Sequence, residues 1–375
     1  MNLMTSPVTV KDKGLEVALP SGELAYFNHY WLRDNCSTSF DPETRERVFD
    51  IFHLAQPPHP SSAHVANDAL EIVWSGENHT SRYPLGWLES YSKGERRADP
   101  AELKRVSWYG DHYPKMARFA HADLMADRQL VAQWLRAMLV EGVSLVTEMP
   151  DSDQALTDLV KLMGQVRPTF FGDYFDVRTH IAPTNLAYTA KALELHTDVP
   201  AEDLAPGVQF LHCRANSVEG GENLFLDGLA VANDLREQFP EDFKLLSETA
   251  VPFYFEHDNQ DVRARQRVIE LDENGDVSGV TISQHMADVF DLPQHFMDRY
   301  YPAFCRFGRM LQADKYLMRF RIAAGECIVF DNHRIVHGRS AYSATSGDRY
   351  LRGTYADRGE MCSTYRALTS KGRFA

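Results

Sequence analysis

A chain of 375 residues, 44% hydrophobic and 25% charged, has room for about two or three domains at roughly 150 residues each, and its ordinary globular mixture excludes whole-chain disorder, collagen and coiled coil. Its 53 acids outnumber 39 lysines and arginines, for a net charge of −14, which argues against non-specific nucleic-acid binding and against docking on anionic lipid. No apolar run approaches the ~20 residues that span a bilayer, the opening MNLMTSPVTV lacks a basic segment followed by an apolar core, and the five cysteines are scattered with no CxxC pair. We therefore expect a cytoplasmic protein with reduced thiols, contacting neither nucleic acid nor membrane.

In chain order, Val8 to about Leu88 reads as short strands. Val17, Leu19, Leu24 and Tyr26, and later Leu70, Ile72 and Trp74, recur near the period of half-buried strands, with a loop at Ala55–Ser62. This predicts an N-terminal β-rich module over residues 1–100. The polar, aperiodic stretch that follows predicts a linker over 101–115. Ala122–Glu141 carries a helical apolar stripe that Gly142 stops, Val143–Thr147 is a β-branched strand, and Asp151–Val166 is a second helix. Strands return at Val208–Cys213 and Asn223–Leu226, and a helix over Leu229–Glu248 is broken at Pro240. The Asn274-Gly275 pair predicts a hairpin between Val268–Leu271 and Val277–Ile282. A helix at Pro293–Gln312, alternation over Tyr316–Ile322, a turn at Gly325 and strands at Cys327–Phe330 and Arg349–Tyr355 complete a β-rich domain with helices packed on it, over 116–375.

The chain has no GxxxxGK[ST], GxGxxG, HExxH or GxSxG motif. Asp272–Asp276 is acidic enough to suggest calcium, but lacks the flanking helices and final glutamate of that site, and reads as the hairpin turn. Of two His-x-Asp triplets, His121-Ala122-Asp123 begins a helix, where Asp123 suits an N-cap. His196-Thr197-Asp198 has partners downstream: His337 follows an apolar strand and a short turn, and Arg349 lies in the next strand-like segment. Two histidines and one carboxylate on one face of an iron leave three positions open, which is the chemistry of non-haem Fe(II) oxygenases. An arginine nearby suits a dicarboxylate co-substrate, because its fork makes two parallel charge-assisted bonds. The alternative is that His196 and His337 are core histidines with local hydrogen bonds.

The segments HTDVPAEDLAPGVQFLHC, GGENLFLDG, FDNHRIVHGR and YLRGTYAD, with WLRDNC near the N-terminus, resemble the γ-butyrobetaine and trimethyllysine hydroxylase family of Fe(II)/2-oxoglutarate dioxygenases. The resemblance covers nearly the whole chain. It implies a mainly β fold with helices: a double-stranded β-helix (jelly-roll) catalytic domain plus the small N-terminal β-rich domain. It also implies a homodimer. Fe(II) would be held by His196, Asp198 and His337, the 2-oxoglutarate co-substrate by Arg349, and O2 would be the oxidant. No catalytic side chain is implied beyond the metal centre.

Against that family the chain departs in two places. Relatives bind a structural zinc in the N-terminal module through three cysteines and a histidine; here Cys36 and His79 match, but Thr38 and Asp41 replace the other two cysteines, and we expect no bound zinc. The family's aromatic cage for a trimethylammonium group carries over to Phe171, Phe175, Tyr188 and Tyr355, with phenylalanines in place of the butyrobetaine enzyme's Tyr and Trp; an aromatic core run is the alternative reading of FFGDYF. Of the two asparagines that grip the substrate carboxylate, one is Asn185 and the other falls near Thr281–His285, where Ser283, Gln284 and His285 offer different donors and Arg178 adds a cation. An anion with three oxygens wants more donors than a carboxylate. A phosphonate end is therefore expected, and the resemblance, through the family's 2-(trimethylammonio)ethylphosphonate dioxygenase branch, implies that the substrate is this small quaternary-ammonium zwitterion, hydroxylated at the carbon bearing phosphorus. The alternatives are γ-butyrobetaine hydroxylation to carnitine and a non-catalytic betaine-binding protein.

Overall fold

The structure, a computed structural model, describes residues 7–178, 189–257 and 259–370, and divides into two units, Met1–Ala98 and Asp99–Ala375. In the first unit two three-stranded antiparallel sheets form, one from Val8–Val10, Gly14–Ala18 and Leu24–Asn28, the other from Pro60–Ala66, Ala69–Trp74 and Thr80–Pro84. Alternation buries Leu15, Val17, Ala25 and Phe27 from one sheet and Leu70, Ile72, Trp74 and Tyr83 from the other in a common core. Leu24 and Tyr26, expected on the apolar face with Val17, lie exposed on the opposite one, because Ala25 and Phe27 are the buried set of their strand.

At one corner of this unit Cys36 Sγ stands 3.1 Å from Thr38 Oγ1, which stands 3.4 Å from His79 Nε2. Asp41 does not join them. Its carboxylate accepts the amides of Glu43 and Thr44 in a turn of its own. One thiol, one imidazole and a hydroxyl do not fit a closed zinc site, and Leu15, Phe27, Ile72 and Trp74 supply an apolar core without one.

The second unit is built on two facing sheets. The strands of these two sheets are β1 (Arg118–Ala120), β2 (Val143–Thr147), β3 (Phe175–Val177), β4 (Leu193–His196), β5 (Val208–Asn216), β6 (Asn223–Asp227), β7 (Met318–Phe320), β8 (Cys327–Asp331), β9 (Ile335–Arg339) and β10 (Arg349–Ala356). The larger sheet runs β1-β2-β8-β5-β10-β3 and the smaller β4-β9-β6-β7, and all neighbours are antiparallel except β1 with β2. This is the expected double-stranded β-helix. Leu145, Leu211, Phe225, Met318, Ile328 and Phe330 fill the space between the sheets. Outside the larger sheet, helices Arg128–Glu141 and Asp153–Lys161 pack Trp134, Leu135, Leu156 and Leu159 onto Val208, Phe210 and Val329. Outside the smaller one, helices Gly228–Gln238, Pro240–Glu248 and Gln294–Leu311 form a second apolar layer.

Several elements differ from expectation for local reasons. The helix expected at Ala122–Glu141 is two, His121–Ala126 and Arg128–Glu141, because Asp127 leaves the helical conformation and its side chain caps the second by accepting Gln129 N–H. Asp123 sits in the first turn and not at the cap. The break at Pro240 forms with Pro240 as the first helical residue, and the Asn274-Gly275 hairpin forms with Gly275 at φ +81°. A hairpin of Ala250–His257 with Gln260–Arg267 is not legible in the charged run QDVRARQR. The stretch expected as a linker, 101–115, packs with the second unit: Trp108 is buried, its indole donates to the Glu141 carbonyl (2.9 Å), and its backbone N–H donates to Asp227 (3.2 Å).

One buried group makes this core sensitive to acid. His212, on the helix-facing side of β5, is fully buried with both ring nitrogens unpartnered among the described residues. Burial, reinforced by Arg214, pushes its pKa down to about 4 from 6.5. The folded protein therefore binds fewer protons than the unfolded chain between those values, and His212 withdraws stability as pH falls from about 6.5 toward 4. The melting temperature of His212→Phe should fall less steeply than wild type across that window; parallel curves would show that His212 is not the titrating group.

Candidate metal centre

Strand register brings the metal ligands together. His196 ends β4 directly opposite His337 on β9, and His337 is opposite Phe225 on β6. The two imidazoles stand 4.3 Å apart between ring centres, with Phe225 and Phe330 packed against His337. Asp198 Oδ1 lies 3.1 Å from His196 Nε2 and 3.6 Å from His337 Nε2. Among the described residues these are the group of histidine, cysteine and acid side chains whose donor atoms converge within 4.8 Å, a spacing that fits one ion. His196 Nδ1 is 2.7 Å from the Glu194 carbonyl, so it carries the proton and leaves Nε2 as the free donor atom.

Electrostatics favours the ligand forms. Burial, with His196 adding to it, takes the His337 pKa down to about 3, so its ring is neutral. Burial works to raise the Asp198 carboxyl, but His337, His196 and the Tyr355 hydroxyl outweigh it and hold the group well below the usual carboxylate range.

The loop bearing Asp198 is pinned at every residue. Thr197 N–H donates to the Ile282 carbonyl (2.6 Å), and Thr197 Oγ1 accepts Ile282 N–H (3.1 Å). Asn332 grips the Asp198 backbone in both directions: its side-chain oxygen accepts Asp198 N–H (2.7 Å) and its amide donates to the Asp198 carbonyl (3.0 Å). The Tyr355 hydroxyl donates to Asp198 Oδ2 (2.7 Å), leaving Oδ1 toward the histidines. Val199 follows at φ +56°, a strained conformation for a β-branched residue that persists only where its surroundings impose it.

Arg349 begins β10 on the same face as Tyr355, since both are odd-numbered on one strand. It is buried, and its Nε and Nη1 have no partner among the described residues. Burial lowers its pKa to about 10, still a cation at neutral pH. An unpaired buried guanidinium is the donor set a carboxylate would complete.

The remaining expected site residues divide. Phe175 stacks on Tyr355 at 5.2 Å, over Gly353, where any Cβ would collide with the Phe175 ring at 2.2 Å; of the two rings, Tyr355 reaches Asp198 through its hydroxyl. Ser283 is buried, its hydroxyl 3.5 Å from His285 Nδ1, and the His285 ring stands 4.9 Å from His196. Gln284 is exposed. Phe171 packs instead on Phe170 (4.3 Å) and Phe255 (5.6 Å), in a separate aromatic cluster. Arg178 is exposed and covers the ring of Tyr350 at 5.3 Å. Asn185 and Tyr188 lie outside the described residues. Sequence reasoning missed Asn332, although it stands within the motif FDNHRIVHGR, because a side chain that grips backbone leaves no spacing signature.

Residues 113–355 match the taurine catabolism dioxygenase TauD, TfdA family, and residues 7–89 match the γ-butyrobetaine hydroxylase-like N-terminal domain. The γ-butyrobetaine dioxygenase of Pseudomonas sp. (strain AK-1) is 34% identical over 93% of this chain and 92% of its own. The human γ-butyrobetaine dioxygenase is 30% identical over 91% of this chain and 90% of its own, and a trimethyllysine dioxygenase of Meyerozyma guilliermondii is 24% identical over 94% and 93%. Among solved structures, AAD-2 in complex with Mn(II) and N-oxalylglycine superimposes with a TM-score of 0.50 at 13% identity, over 61% of this chain and 89% of that one, a likeness of fold.

Removing the backbone grip should loosen the ion without removing a ligand. Asn332→Ala is expected to weaken Mn(II) or Fe(II) binding about 10–100-fold, as measured by anaerobic calorimetry. Unchanged affinity would mean that Asp198 is held by its own turn.

Proposed function

Because this chain belongs to the TauD/TfdA family of Fe(II)/2-oxoglutarate-dependent dioxygenases, in its γ-butyrobetaine and trimethyllysine hydroxylase branch, we propose that it hydroxylates a small trimethylammonium zwitterion, and that this zwitterion is 2-(trimethylammonio)ethylphosphonate, oxidised at the carbon bearing phosphorus. When bound, the iron would let O2 oxidise an unactivated C–H bond, with 2-oxoglutarate supplying two of the electrons as it becomes succinate and CO2. The protein's own task is placement. Phe175 and Tyr355 offer stacked π faces beside Asp198 for the trimethylammonium end. Arg349 offers its unpaired donors to the far carboxylate of the co-substrate. The apolar wall of Phe225 and Phe330 keeps water from His337.

The phosphonate assignment rests on one observation: where relatives by resemblance carry a second asparagine, this chain has the hydroxyl of Ser283 and the ring of His285, next to each other and beside His196. Three phosphonate oxygens use such donors better than a carboxylate does. γ-Butyrobetaine is the second reading, favoured by the similarity to γ-butyrobetaine dioxygenases at 34% and 30% identity. An intact His196–Asp198–His337 centre speaks against a binding protein without catalysis.

Substrate-dependent succinate release separates these readings, since the two ends of the substrate should fail independently. Replacing trimethylammonium by a primary amine keeps the charge but forfeits about 0.8 kcal/mol per buried methyl and, because the smaller head is more strongly hydrated, part of a cation–π contact worth about 0.5–2 kcal/mol, so the amine analogue should react at least ~100-fold less efficiently. Phosphonate should be preferred over carboxylate. Equal turnover of γ-butyrobetaine would overturn the anion assignment, and no release with either trimethylammonium compound would overturn the cage.

A further inference from the structure

Beyond Arg349, a second buried cation faces the space between the sheets. Arg339 lies two residues past His337 on β9 and so shares its inward face. It is 3% exposed and Arg349 is 6% exposed. One nitrogen of Arg339, Nη2, donates to the carbonyls of Thr189 and Lys191, each at 2.7 Å. Its Nε and Nη1 have no partner among the described residues, which is also the condition of Nε and Nη1 of Arg349. The two guanidinium groups converge on one ring, their carbons 4.9 Å and 5.5 Å from the centre of Tyr342. Gly221 closes the same corner: a Cβ there would come within 3.3 Å of Tyr342 and 3.5 Å of Arg349.

Neither arginine makes an ion pair among the described residues, although other buried arginines of this unit do, Arg334 with Asp227 among them. A buried charge without a counter-ion is strongly destabilising, and two of them in one pocket repel each other. Such an arrangement is stable in use when a ligand brings the missing charge. The co-substrate of this family of dioxygenases is a dianion, and two cations match it better than one.

We propose that Arg339 is a second anchor for the 2-oxoglutarate co-substrate, set beside Arg349 at the Tyr342 ring so that the far carboxylate is held by two guanidinium groups. The carbonyls of Thr189 and Lys191 fix the Arg339 plane, so its free donors are aimed before the ligand arrives, which lowers the entropic loss on binding. The assignment rests on the dioxygenase class alone and is independent of which trimethylammonium compound is oxidised.

Calorimetry on the Mn(II)-loaded protein tests it, with 2-oxoglutarate and with 2-oxopentanoate, which keeps the keto acid and the chain but lacks the far carboxylate. Arg339→Gln should weaken 2-oxoglutarate about 10-fold or more, the scale of one lost charge-assisted bond, while leaving 2-oxopentanoate within about twofold. Equal weakening of both ligands would show that Arg339 only props the Thr189–Lys191 backbone, and no weakening would show that Arg349 acts alone; either result overturns the proposal. If Arg339→Gln does not fold, Arg339→Lys carries the test. An ammonium has three donors but no planar fork, so while it serves both carbonyls it cannot also present two parallel N–H groups to the carboxylate; discrimination between the two ligands should therefore fall severalfold, and full wild-type discrimination would overturn the proposal.

Discussion

The centre depends on four consecutive residues, Asp331 to Arg334, that turn the chain from β8 into β9. Arg334 is fully buried and gives two hydrogen bonds to Asp227 at 3.0 and 2.8 Å, one to the Val140 carbonyl at 2.8 Å and one to the Val106 carbonyl at 2.7 Å. Asp227 in turn accepts the backbone amides of Leu229 and Trp108. A buried pair of this kind contributes little over an apolar replacement, but losing one partner strands a charge at about 3–5 kcal/mol. Its effect is therefore geometric: it fixes the turn against the segment before β1, the helix ahead of β2 and the end of β6. Asn332, held in that turn, reaches across to the Asp198 backbone, and His333 binds the Ala205 carbonyl at 3.0 Å. His337 then follows along β9 in register with His196. Two ligands come from strands and the third from a loop, and the turn locks the loop to the strands.

Charge is divided between surface and interior. The chain carries a net charge of −14, yet the space between the sheets holds Arg339 and Arg349 with no acid paired to them among the described residues. Few protein anions oppose a dicarboxylate that arrives there, and the low-dielectric surroundings strengthen each contact. The strain at Val199 belongs to the same economy of position: a β-branched residue at φ +56° is held there by Thr197 on one side and the Asn332 grip on the other.

The His-Asp-His set and Arg349 were legible in the sequence because coordination needs particular side chains at particular separations, and HTD, HGR and the arginine just before YLRG keep them. The sheet order was legible only through resemblance. Periodicity located Val143–Thr147 and Val208–Cys213 but does not say that β8 lies between β2 and β5. Trp108 was hidden because its neighbours are charged and polar, so a stretch that packs into the core read as a linker.

The most direct test of the account is a crystal of the protein soaked anaerobically with Mn(II) and 2-oxoglutarate. The account predicts one ion about 2.0–2.2 Å from Nε2 of His196, Nε2 of His337 and Oδ1 of Asp198, with the far carboxylate of the co-substrate against Arg349. An ion bound without Asp198, or a co-substrate whose far end avoids Arg349, would contradict it.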